Sequence, residues 1–189
     1  MAKVQVYPTT VNTYSTNFNN WNALRNGGSS IVSSVTVDGG IASHGVVPSD
    51  FAQGDYQFYR TYMEFDLSGI DPITNPITDI RLYLYGYDAD ALSRTYVVHG
   101  GSKATLSNDE NDWDKYIGAV IGNNRLSRIT IDINRYTFCR LNLVTYPPFI
   151  DGNTGLYVPY VIGLVADSDF FDSPAEFPLT QIRLSLIHI

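Results

Sequence analysis

The residues of this chain with the capacity for chemistry are carboxylate oxygens and aromatic rings. Asn108-Asp109-Glu110-Asn111-Asp112 gathers hard oxygen donors in one short stretch, and Asp88 with Asp90, and Asp167 with Asp169, repeat the theme at a spacing of two. Calcium is the ion such oxygens suit. Asp88, Asp90, Asp109 and Asp112 are the candidate ligands, although none falls in the twelve-residue EF-hand pattern. The competing reading is that of solvated acidic turns, the usual place of Asp in β-proteins. The aromatic set is Tyr62, Tyr83, Tyr85 and Tyr87, with Trp21 and Trp113 in polar surroundings. Rings of this kind stack on the apolar face of a sugar, anchor a protein interface, or pack across strands.

Catalytic patterns are missing from the sequence. His44, His99 and His188 are scattered, and there is no Gly-x-Ser-x-Gly elbow, no HExxH helix and no phosphate-binding loop. A glycosidase needs two carboxyls about 5–9.5 Å apart, a separation that sequence spacing does not encode. The expectation is a protein that is not an enzyme.

Strands must position these residues. In Tyr59-Arg60-Thr61-Tyr62-Met63-Glu64-Phe65-Asp66-Leu67 side chains alternate between faces, placing Tyr59, Thr61, Met63, Phe65 and Leu67 toward a core and Phe58, Arg60, Tyr62, Glu64 and Asp66 away from it. Ile80, Leu82 and Leu84 repeat the pattern, opposite Arg81, Tyr83, Tyr85 and Tyr87. If these two strands pair through the DPITNP connection, their outer faces make one aromatic surface. Arg60 and Glu64 then read as architectural, paired with each other or with Arg81 and Asp66. Further alternating runs are KVQVYP, IVSSVTV, TYVVHG, RITIDINRYTF, LYVPYVIGLVAD and LTQIRLSLIHI, bounded by Gly, Pro, Asn and Asp clusters. About eight strands and no long amphipathic helix predict an all-β fold, an antiparallel jelly-roll β-sandwich. Residues 1–189 read as one domain, with the Asn-rich 12–28 as a loop, an ordered strand-loop or an arm.

Composition narrows the partners. The 189 residues, 44% hydrophobic, suffice for one buried core. A formal charge of −7 with no basic run argues against nucleic acid. No apolar run is long enough for a membrane helix, and MAKVQVYPTT has no apolar signal region. Cys139, in an alternating run, reads as a small apolar filler.

YRTYMEFDLSGI followed by ITDIRLYLYGYDAD resembles the opening of the DNRLRE-type jelly-roll domains, relatives of carbohydrate-binding modules. ITIDINRYTF and GLVADSDFFDSPAEFPLTQIRLSL are similar to that family's later strands, so the resemblance spans about residues 56–189. It implies a jelly roll, a calcium ion between loops and a glycan-binding role. Family members are modules of exported proteins, whereas no export signal is read here, and NDENDWD stands where the family has a Thr-Trp pair. A jelly roll without a signal fits a virion component, since jelly rolls recur in capsids.

Leu186-Ile187-His188-Ile189 and LYVPYVIGLV are apolar on both faces and need cover on both sides. Either these strands are central or another subunit covers them, and Pro159 suggests an edge or a bulge. The expected function is therefore a non-enzymatic structural protein in a virion or extracellular setting, acting by self-association or through sister virion proteins. The alternative is a glycan-binding module.

Overall fold

The structure, a computed structural model, describes residues 3–18, 31–35, 41–48, 56–88, 94–99, 125–130, 134–144, 147–166 and 180–188. They form eleven strands and no helix: β1 (Gln5–Val6), β2 (Pro8–Phe18), β3 (Ile31–Val35), β4 (Ile41–Pro48), β5 (Tyr56–Phe65), β6 (Arg81–Asp88), β7 (Arg94–His99), β8 (Arg125–Thr130), β9 (Tyr136–Arg140), β10 (Tyr160–Ala166) and β11 (Thr180–His188). Every pairing is antiparallel.

The strands fall into two sheets joined at one strand. In the first, β5 pairs along its whole length with β2, which also pairs with β3. The opposite edge of β5 is divided: Tyr56–Tyr59 pairs with β4 and Thr61–Phe65 with β10. From β10 the sheet continues through β7 to β8. In the second sheet β9 pairs with β6 and β6 with β11. The far edge of β11 is also divided, between β4 and β1. β4 belongs to both sheets, with Ile41–His44 on β11 and Gly45–Pro48 on β5.

One apolar core receives side chains from both sheets: Val11, Met63, Phe65, Ile162 and Leu164 from the first, and Leu82, Leu84 and Cys139 from the second. This arrangement is compatible with a β-sandwich. The alternation of the sequence produces it directly, since Thr61, Met63, Phe65 and Leu67, and Ile80, Leu82 and Leu84, are fully buried. Thr13 and Thr61 sit opposite one another and share a hydrogen bond of 3.1 Å between hydroxyls, so this buried polar pair satisfies itself.

Several expectations change. β5 and β6 do not pair; residues 66–80 carry the chain from one sheet to the other. Asp66 Oδ1 accepts from the Ser68 amide (2.8 Å), and Asp71 holds the DPITNP loop by accepting from the Ile73 amide and the Thr74 hydroxyl, both at 2.8 Å. These bonds to the ionised form lower both carboxyls, the amide bond acting most strongly in each. The Tyr157 hydroxyl accepts from the Ile77 amide at 2.9 Å and ties the connection down. RITIDINRYTF is not one strand: β8 and β9 are separate, and Asn134, just before β9, has a φ of 59°, a left-handed conformation that Asn tolerates. Residues 12–18 of the Asn-rich segment belong to β2, in keeping with the ordered alternative for that part, and residues 19–28 lie outside the described residues. Pro159 precedes β10, which is central between β5 and β7 and neither an edge nor bulged there. β11 is central in its sheet, one of the two placements its apolar pattern allowed.

Candidate functional site

β6 and β9 form a two-stranded ribbon whose register is Arg81↔Arg140, Leu82↔Cys139, Tyr83↔Phe138, Leu84↔Thr137 and Tyr85↔Tyr136. With two-residue alternation, Leu82, Leu84 and Cys139 enter the core, and every second residue faces outward. The outer face is thus a ladder of side-chain pairs. Tyr83 and Phe138 stack with centroids 5.5 Å apart and planes inclined by 26°; Tyr85 and Tyr136 meet edge to face at 5.2 Å. Such pairs contribute about 0.5–1.5 kcal/mol each beyond the area they bury. Their β9 members remain open to solvent, Tyr136 being 59% and Phe138 58% exposed, as is Tyr87 at 40%, while Tyr83 and Tyr85 are half-buried. In the described order of strands β9 is the outermost, so the ladder can be approached from outside.

At its Arg81 end the ladder turns cationic. Arg81 and Arg140 are directly opposite, an arrangement that like charges disfavour, and Asp79 lies between them. Arg81 Nε donates to Asp79 Oδ2 at 3.1 Å, and Arg140 Nε donates to Oδ1. Burial, the largest single influence on Asp79, raises its pKa, but the hydrogen bonds and charges of Arg140 and Arg81 together outweigh it and hold the carboxyl below its ordinary value of 3.8. A carboxylate so held is an acceptor and suits no general-acid role at neutral pH. Beside it lies an open groove of about 470 Å³ whose wall is Arg140, Leu141, Asn142, Leu143 and Val144. Val144 is almost wholly exposed there, its amide donating to Asn142 Oδ1 at 3.1 Å.

Asp79→Asn removes the charge that separates the two arginines. An exposed pair is worth about 1 kcal/mol or less, so a loss of roughly 1 kcal/mol is expected in urea melts at pH 7. The difference from wild type should shrink below pH 3.8 as Asp79 takes up its proton, because stability from a lowered carboxyl is lost as pH falls through the folded pKa. An equal difference at pH 7 and pH 2.5 would show that the charge is not the cause.

No protein-family model matches the chain, and no curated protein matches it significantly.

Of the aromatic candidates, the structure brings Tyr83, Tyr85 and Tyr87 onto one face and separates Tyr62 from them. Tyr62 lies on β5 in the other sheet and is fully buried, because both faces of β5 are covered: Arg60 and Tyr62 are as inaccessible as Met63 and Phe65. Asn12 on β2 and Gly163 on β10 flank Tyr62 in register. Arg81 belongs to Asp79 and Asp66 to a turn, so they are not the partners that the sequence suggested for Glu64 and Arg60. Trp21 and Trp113 lie outside the described residues, as do Asp90, Asp109 and Asp112 and the side chain of Asp88, the last residue of β6. Among the described residues no three His, Cys, Asp or Glu side chains gather as a metal site. Tyr136 and Phe138 were not singled out from sequence, although Tyr136, Phe138 and Arg140 alternate within RYTFCR as strongly as Tyr83 and Tyr85 do in theirs.

Proposed function

We propose that this protein is a non-enzymatic structural protein of jelly-roll type, a virion component, acting through a protein–protein interface on the β6–β9 ribbon. The observation that carries the reading is the aromatic ladder of half-buried Tyr83 and Tyr85 and exposed Tyr87, Tyr136 and Phe138, ending at Arg81 and Arg140. Tyr and Arg are the residues that concentrate binding energy at interfaces. Antiparallel sheets that share a core, with β4 passing from one to the other, support the jelly-roll assignment, and jelly rolls recur in capsids.

A second reading is a carbohydrate-binding module, favoured by the Tyr83–Phe138 stack, whose ring faces could receive a sugar. The deciding experiment is the solution mass by light scattering, with chelator and with excess calcium, for wild type and for a Tyr136→Ser, Phe138→Ser double variant. A wild-type oligomer or filament that the double variant reduces to monomer is expected. A wild-type monomer that binds polysaccharide on an array, and loses that binding in the double variant, replaces the first reading with the second.

A further inference from the structure

The order of side chains along the ribbon is asymmetric. Arg81 and Arg140 occupy one end, Tyr83 with Phe138 and Tyr85 with Tyr136 the middle, and Tyr87 the other end. Same-face residues on a strand are about 6.6–6.8 Å apart, so the ladder is roughly 20 Å long. Arg81 and Arg140 share Asp79, so that end keeps one net positive charge while the other end is aromatic, on a chain whose formal charge is −7.

Resting on the interface reading above, we infer that the ribbon docks onto the same ribbon of a second copy about a two-fold axis passing between the Tyr83–Phe138 and Tyr85–Tyr136 pairs. That axis carries Arg81 of each copy over Tyr87 of the other, with Arg140 alongside, and sets aromatic pair on aromatic pair. Each level of the ladder then meets a chemically complementary one, cation on ring at both ends and ring on ring between. Stacking two ribbons in the same direction would instead superpose four arginines at one end. The two-fold arrangement with reversed strand direction avoids this, and it uses one patch twice, as an isologous contact must.

The ribbon's area sets the strength. Two strands about 20 Å long present a few hundred Å² per copy, well below the roughly 800 Å² per partner of a standard interface. A contact of that size falls among weak, transient encounters, so the dimer forms at high protein concentration. Charge sets the salt dependence. Two copies at −7 repel at long range, and salt screens that repulsion while leaving ring and cation contacts at short range largely intact. Dimerisation therefore strengthens or holds as salt rises. An acidic sister protein engaging Arg81 and Arg140 would be released by salt.

The test uses the two ends of the ladder in trans. Tyr87→Ala and Arg81→Ala each damage both copies of the end contact in a homodimer, but a mixture of the two variants forms a heterodimer with one contact fully intact. Sedimentation velocity should show wild-type dimer, each variant alone weakened roughly fivefold to thirtyfold, and a mixture that dimerises more strongly than either. Tyr87 is exposed and Arg81 half-exposed, and near-ultraviolet circular dichroism confirms that each variant is folded. Wild-type dimer that persists or grows from about 50 mM to about 0.5 M salt agrees with the inference. Oligomers that dissolve in salt, or variants that fail to complement, overturn the two-fold contact and leave the interface reading standing. A wild type monomeric throughout overturns the two-fold contact, and glycan binding by that monomer overturns the interface reading as well.

Discussion

Replacing Phe65 by alanine is expected to cost about 3–5 kcal/mol, the range for emptying a buried aromatic site. Phe65 is fully inaccessible, ends β5 in register with Tyr160 on β10 and Pro8 on β2, and belongs to the core to which both sheets contribute. Its neighbours are fixed by paired backbone on both sides, which limits collapse into the space vacated. Against a total of about 5–15 kcal/mol for a typical domain, the loss lowers the melting temperature on the order of 10 °C. Phe65→Leu keeps most of the volume and should cost less than about 1.5 kcal/mol. Phe138→Ala, one ring away in the sequence pattern but exposed, should cost no more than about 1.5 kcal/mol, the worth of its stack on Tyr83. Urea melts of the three variants decide the matter, and equal costs at positions 65 and 138 would contradict the assignment of their faces.

Above pH 10 the protein should lose stability through Tyr160. Burial pushes this phenol well above its ordinary value of 10.0, because the ion would form in the same apolar core. Below pH 10 folded and unfolded chains both keep the proton and nothing changes. As pH rises past that point the unfolded chain releases its proton first, so the unfolded state is favoured by about 1.4 kcal/mol per pH unit. By pH 12 the loss approaches 3 kcal/mol, and Tyr59, raised by partial burial, acts in the same direction. Tyr160→Phe retains the ring and removes the ionisation. Its stability profile from pH 10 to 12 should be flatter than wild type by that amount, and parallel profiles would place the alkaline loss elsewhere.

The strands legible in the sequence were those in which one face is apolar and the other is not. Tyr59–Leu67 and Ile80–Tyr87 satisfied that condition, and Thr61, Met63, Phe65, Leu67, Ile80, Leu82 and Leu84 are buried as expected, whereas Tyr59 is only half-buried. β2 escaped because Asn12 and Thr13 are polar and buried at once, a combination that hydropathy scores as surface. β5 misled for the complementary reason: alternation shows that two faces differ, yet it is silent on whether the second face is also covered, and so Tyr62 looked exposed. The pairing of β5 with β6 was inferred from adjacency in sequence, whereas Leu67, Ile70 and Ile80 draw the connection through the core into the other sheet. Half the aromatic ladder was visible as Tyr83, Tyr85 and Tyr87. The other half depended on knowing that β9 lies beside β6, and only long-range register supplies that.

β4 has a consequence for the order of events during synthesis. Its second half needs only β5, which leaves the ribosome shortly afterwards, but its first half needs β11, which is made after most of the chain. Until then Ile41–His44 presents unsatisfied backbone donors and acceptors while its continuation is already paired. A nascent chain at that stage holds a half-occupied edge open to any other strand it meets. The same strand that later joins the two sheets is, for the duration of translation, the place where a chaperone would be most useful.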